Sequence, residues 1–79
     1  MVFANETTVF YLEQLMRLNG QPYETETPRP LAEILREAGF DCERVAVMLN
    51  GRIVPRDQLD SARVAADDEL EVVSFVGGG

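Results

Sequence analysis

The 79-residue sequence has no lysine, no histidine and no tryptophan, and a single cysteine, Cys42. Without histidine there is no imidazole for acid–base, triad or metal chemistry, and without lysine no Schiff-base amine. One cysteine excludes an internal disulfide framework and any CxxC metal or redox site, a usage that suits a reducing compartment. Cations are scarce as well: seven, all arginine, against 14 Asp and Glu, for a net charge of −7 and a pI near 4.3. Nucleic-acid binding requires clustered cations that displace counterions, so neither DNA nor RNA is an expected partner. No apolar run approaches the ~18 residues of a membrane span. Met1–Phe10 holds Glu6 and no basic residue, unlike the start of a secretion signal, and the expected location is the cytoplasm. The chain is also short, within the range of one small domain. A hydrophobic fraction of 46% places it among folded rather than disordered sequences.

What is present is well punctuated. Asn-Gly between apolar runs is the strongest short hairpin signal, because a type I′ turn needs positive φ at both central residues. It occurs twice, each time as Leu-Asn-Gly. Asn19-Gly20 joins Leu15–Leu18 to Gln21–Thr25, and Asn50-Gly51 joins Val45–Leu49 to Arg52–Val54. Pro22 pushes the second strand of the first hairpin to a sheet edge or a bulge. Between the hairpins, Leu31, Ile34, Leu35 and Ala38 recur at i, i+3, i+4 and i+7, the stripe of an amphipathic helix. Thr27 is the expected N-cap, with Pro28 and Pro30 in the first turn. Gly39 is placed to end the helix in left-handed geometry with Phe40 packing back. Glu33, Glu37, Arg29 and Arg36 take the wet face.

Arg56–Ala62 reads as a turn or a single helical turn, and Asp67-Asp68 as a tight turn. The run from Glu69 to Val76 opens with strict alternation and reads as a strand. Val9–Leu18 fits neither period and is left as strand, helical turn or loose tail. One helix and about five strands make a two-layer α+β domain. Val45, Val47, Leu49, Leu70 and Val72 are expected to face the helix stripe.

Gly77-Gly78-Gly79 serves no core. Glycine holds a fixed conformation least readily, so the triplet is either a frayed end or a slender tail able to enter an enzyme channel. In the second case its carboxylate can approach a nucleotide phosphate unhindered, and adenylation would leave a mixed anhydride open to nucleophiles. With no lysine in the chain, no side-chain amine of its own could intercept it.

The stretch Val45-Ala-Val-Met-Leu-Asn-Gly-Arg-Ile-Val-Pro-Arg-Asp-Gln-Leu59, followed by Asp68-Glu-Leu-Glu-Val-Val73 and Phe75-Val-Gly-Gly-Gly79, resembles the thiamin-biosynthesis sulfur carrier (ThiS) family. The resemblance covers residues 16–79. It implies a ubiquitin-like β-grasp fold, a mixed sheet of about five strands on one main helix, with domain 16–76 and a flexible tail 77–79. It implies a carrier, not an enzyme: no catalytic residues of its own and no bound cofactor or metal. An ATP-using activating enzyme of the ubiquitin-activator type would adenylate Gly79, and a donor fed by a cysteine desulfurase would supply sulfur. The resulting thiocarboxylate would serve thiazole synthase. Gly78 and Gly77 would form the approach, with Phe75, Val76 and Val73 docking the partner. Asp67 replaces the usual Gly of the family's Gly-Asp turn, and Ser74 stands where a basic residue is common. Residues 1–15 have no counterpart in this pattern: either Met16 is the true start or the extension is an extra strand or tail, expected to be functionally dispensable.

Other readings remain open on the sequence: a carrier for tRNA thiolation, molybdopterin synthesis or protein modification, or a β-grasp interaction module with incidental glycines. Cys42, between Asp41 and Glu43, reads as a loop cysteine. Asp67, Asp68, Glu69 and Glu71 read as a turn and a wet strand face rather than a divalent-metal site.

Overall fold

The computed structural model describes residues 5–75. In chain order the elements are helix α1 (Glu6–Gln14), strands β1 (Met16–Leu18), β2 (Gln21–Tyr23) and β3 (Arg29–Pro30), helix α2 (Leu31–Glu37), and strands β4 (Val45–Leu49), β5 (Arg52–Val54), β6 (Arg63–Val64) and β7 (Glu69–Ser74). Short 3₁₀ turns occupy Cys42–Arg44 and Arg56–Gln58. Five strands form one mixed sheet in the order β2-β1-β7-β4-β5, with β7 central, parallel to β1 and antiparallel to β4. This is the β-grasp arrangement, with α2 packed on one face.

Both Leu-Asn-Gly sequences form the expected turns. Asn19 and Asn50 each take φ 51°, followed by Gly20 at 84° and Gly51 at 82°. They close β1 on β2 and β4 on β5 in antiparallel register. Pro22 sits in β2, an edge strand, where its missing N–H costs no ladder bond. Val9–Leu18, ambiguous by period, splits at Leu15 into the end of α1 and the whole of β1. Asn5 caps α1, its side-chain oxygen accepting from the Thr8 N–H at 2.8 Å.

The start of α2 differs from expectation. Thr27 is not its cap and neither Pro28 nor Pro30 is helical: the helix begins at Leu31, and Pro30 is extended at φ −57°, ψ 135°. The reason lies in proline itself. Its φ suits extended backbone as well as a first helical turn, and it drives the preceding residue out of the α region. Arg29-Pro30 therefore pairs with Arg63-Val64 in a two-stranded sheet that the sequence reading did not include. No side chain caps α2. The Leu31 N–H donates to the Ala62 carbonyl at 2.8 Å and the Ala32 N–H to Leu59 at 3.0 Å, so the segment after β5 supplies acceptors for two orphan donors. At the other end Gly39, at φ 92°, donates to Arg36 and Phe40 donates to Leu35, a Schellman closure as expected.

The core gathers Leu31, Ala32, Ile34 and Leu35 of α2 against Val45, Val47, Leu70 and Val72 of the sheet, with Met16, Leu59 and Val64 completing it. Leu49, expected inside, is only half-buried against this cluster. Leu59, in the segment read as a polar turn, and Val64, just after it, are both buried: the Leu59 carbonyl accepts from the Ala32 N–H of α2, and Val64 pairs with Arg29 in β3. Every fully buried large side chain contributes about 1.5–3 kcal/mol through removal from water.

Candidate functional site: the outer sheet face and the root of the tail

β7 alternates strictly. Leu70 and Val72 point into the core, while Glu69, Glu71 and Val73 point away from α2. Register extends the outer face sideways: Val73 lies opposite Ala46, Glu71 opposite Met48, and Met48 opposite Ile53. The result is an outward patch on three strands, the pair Val73 and Ala46 one rung from Met48 and Ile53, with Glu71 as the β7 member of that second rung; Ile53 is 77% and Val73 61% exposed. Phe75 follows the last strand residue. Its N–H still donates to the Arg44 carbonyl at 2.7 Å, which holds its backbone to β4, while its side chain is 56% exposed. Of the residues expected to dock a partner, the structure thus places Val73 and Phe75 at one end of this outer surface. Val76 and the stretch expected to be reactive, Gly77, Gly78 and Gly79, lie outside the described residues.

The strand that leads to the tail is gripped on both sides. Asn19 accepts from the Val72 N–H at 2.7 Å and donates to the Val72 carbonyl at 3.2 Å. Asn50 accepts from the Glu69 N–H at 2.8 Å and donates to Asp68 Oδ1 at 3.0 Å, and its own N–H donates to the Glu69 carbonyl. Each turn asparagine therefore also acts as a clasp on β7. Reading Asn-Gly as turn chemistry alone missed this. The available signal was the choice of asparagine, whose amide carries both a donor and an acceptor.

Charge is arranged by position. At the tail root Arg44 lies 3.7 Å from Asp41 and Arg56 3.9 Å from Glu43, loose exposed pairs of little energetic weight. Arg17, on the outer face, sits 3.8 Å from Glu69. Beside α2, Arg29 is half-buried rather than wet. It pairs with Glu37, contacts Glu33 at 3.3 Å and donates to Thr25 at 2.8 Å, and the Tyr23 hydroxyl donates to Glu37 at 2.9 Å. Arg29 first, then Tyr23 and Thr25, hold the Glu37 carboxyl below its ordinary value. Burial, then the bond to Glu37, raises the Tyr23 hydroxyl. This network ties the segment after β2 to α2. A cleft between Tyr11, Glu24, Glu33 and Glu37 opens beside it, on the helix side of the sheet.

The remaining sequence signals find structural roles. Cys42 packs against the core, its sulfur 3.9 Å from the Ala32 carbonyl. Asp67, at φ 74°, makes the turn that usually carries glycine, with the strain a left-handed non-glycine residue implies. Asp68 accepts from the Ala65 N–H and from Asn50. Among the described residues no group of three Asp, Glu or Cys converges in a way that could hold a metal ion.

Comparison with known proteins decides the family. The model of the ThiS family matches residues 11–79. The chain belongs to the ThiS family. The match begins five residues ahead of Met16 and so takes in the end of α1. Among solved structures, a crystal structure of the thiamine biosynthesis protein ThiS from Geobacter metallireducens superposes with a TM-score of 0.68 at 30% identity, over 81% of this chain and 97% of that one. A thiazole synthase of Magnetococcus marinus is 39% identical over 64 residues, and an uncharacterised protein, ycf40, of Pyropia yezoensis is 38% identical over 64 residues. The chain spans 90% of the ycf40 protein but only 20% of that thiazole synthase. ThiS-type sequence therefore occurs both as a small separate protein and as part of a longer one.

Proposed function

We propose that this ThiS-family chain is a cytoplasmic sulfur carrier for thiamin biosynthesis, serving the thiazole moiety. The observation that supports it most is family membership combined with a glycine-only end, Gly77-Gly78-Gly79, leading from a well-anchored central strand. In this reading a partner enzyme transfers AMP from ATP to the Gly79 carboxylate with release of pyrophosphate. Hydrosulfide, released by a thiol reductant from the persulfide that a cysteine desulfurase forms, then displaces AMP, leaving a thiocarboxylate. Thiazole synthase accepts that sulfur, and the match to part of a thiazole synthase chain supports this partner.

The chain itself supplies no acid, base or cofactor to these steps. Its contribution is presentation: β7 holds Val73 and Phe75 on the surface at the root of the tail, and the partners dock there and over Val76. Exposed aromatic and aliphatic residues of this kind dominate binding energy when a partner desolvates them. The test is removal of Gly78 and Gly79 in cells that depend on this chain for thiamin. Growth without added thiamin is expected to stop, while the purified truncated protein keeps its melting temperature. Growth that survives the truncation would rule the carrier reading out in favour of an interaction module.

A further inference from the structure

The two Asn-Gly turns are chemically labile as well as structural. Asparagine is a thermolabile residue, and a following glycine offers a backbone nitrogen with no side chain to block it. The Gly51 nitrogen can attack the side-chain carbonyl carbon of Asn50. A new C–N bond closes a five-membered imide, the bond to the amide nitrogen breaks, and ammonia leaves with the Gly51 amide proton. Water then opens the imide at either carbonyl, giving aspartate or isoaspartate. Nothing but water is consumed, and no electrons are exchanged.

The fold decides when this happens. To bring its carbonyl carbon to the Gly51 nitrogen, Asn50 must swing off β7 and give up its bonds to the Glu69 N–H and to Asp68. Asn19 must likewise give up both bonds to Val72. The two clasps differ in exposure. Those of Asn19 are partly buried between β1 and β7, whereas those of Asn50 are exposed. Nothing lies within 4 Å of where a side chain on Gly51 or on Gly20 would start, so water reaches both turns and the exposure of the clasps sets the order. We propose that Asn50 is a deamidation site of this protein, guarded by its clasp on β7 and converted ahead of Asn19.

The product restores the clasp only in part: a carboxylate can still accept from the Glu69 N–H but has no donor for Asp68. Aspartate at position 50 replaces the donor 3.0 Å from Asp68 Oδ1 with a second carboxylate, in a chain already at net −7. Isoaspartate in addition lengthens the turn that sets the Leu49–Arg52 register. Either change weakens one of the two side-chain holds at β7.

The test is to age the full chain at mildly alkaline pH, natively and in urea, and to follow both sites by peptide mass mapping that separates isoaspartate. In the native protein Asn50 is expected to convert first. Both sites should react roughly 10- to 100-fold more slowly than in urea, the factor set by the net strength of two hydrogen bonds. Asp68→Ala, which removes one partner of Asn50, should speed its conversion by about 5-fold, with Asn19 as the internal control for global stability. Three results would each overturn the proposal: faster conversion at Asn19, native conversion of Asn50 at its urea rate, or no conversion of Asn50 while the urea sample reacts. An equal acceleration of both sites in the Asp68→Ala protein would show that general loosening, not the clasp, is the guard.

Discussion

The two faces of β7 are built from neighbouring residues of one strand, yet they have different work. Leu70 and Val72 are buried against α2, whereas Val73 is largely exposed beside Ala46, one rung from Met48 and Ile53. A period of two lets a single strand carry both without compromise, because a side chain on one face has no contact with the other. The lesson is that residue parity separates stability from the recognition proposed for the outer face, and each can be tested apart from the other.

The largest expected effect lies on the inner face. Leu70→Ala should cost about 3 kcal/mol in urea unfolding, from lost burial plus a cavity, whereas Val73→Ala should stay within about 0.5 kcal/mol. Equal losses at the two positions would break the comparison. Next come the clasps that lock the strand in place. Asn19→Ala should cost about 1–2 kcal/mol, since it leaves the Val72 N–H without a partner in a partly buried site. A comparable effect, read in binding rather than folding, belongs to the outer face. Val73→Asp should leave the melting temperature nearly unchanged while weakening association with the proposed activating enzyme by about tenfold, the loss of a modest interface anchor.

The smallest effect sits away from both faces, on the network beside α2. The Glu37 carboxyl is held below its ordinary value, so its contribution to stability is full above the unfolded value and fades as pH falls through the folded one. Melting curves of wild type and Glu37→Gln should therefore differ at neutral pH and converge in acid. A gap that widens on acidification would contradict the assigned pairing with Arg29.

Much of the inner face was legible because it rests on periodicity. The i, i+3, i+4, i+7 stripe of α2, the alternation of β7 and the two Asn-Gly turns each have one simple geometric cause. The outer patch was half legible: Val73 and Phe75 follow from parity, but Met48 and Ile53 join them only through strand register, a long-range property. The prolines before α2 misled because one φ value serves two backbone states, and only pairing with Arg63-Val64 selects the extended one. Leu59 and Val64 escaped notice because isolated apolar residues in a polar segment show no period. The clasps escaped too, since a side chain's partner 53 positions away leaves no local mark.

The central proposal is that the sulfur-carrying chemistry of this protein resides on the carboxylate of Gly79. The direct measurement is intact mass after incubation with ATP, its cognate activating enzyme and a sulfur donor, followed by fragmentation to locate the change. The account predicts exchange of one oxygen for sulfur at Gly79, absent when ATP is withheld. An unchanged mass with the active cognate enzyme, or sulfur found on Cys42 instead, would contradict it.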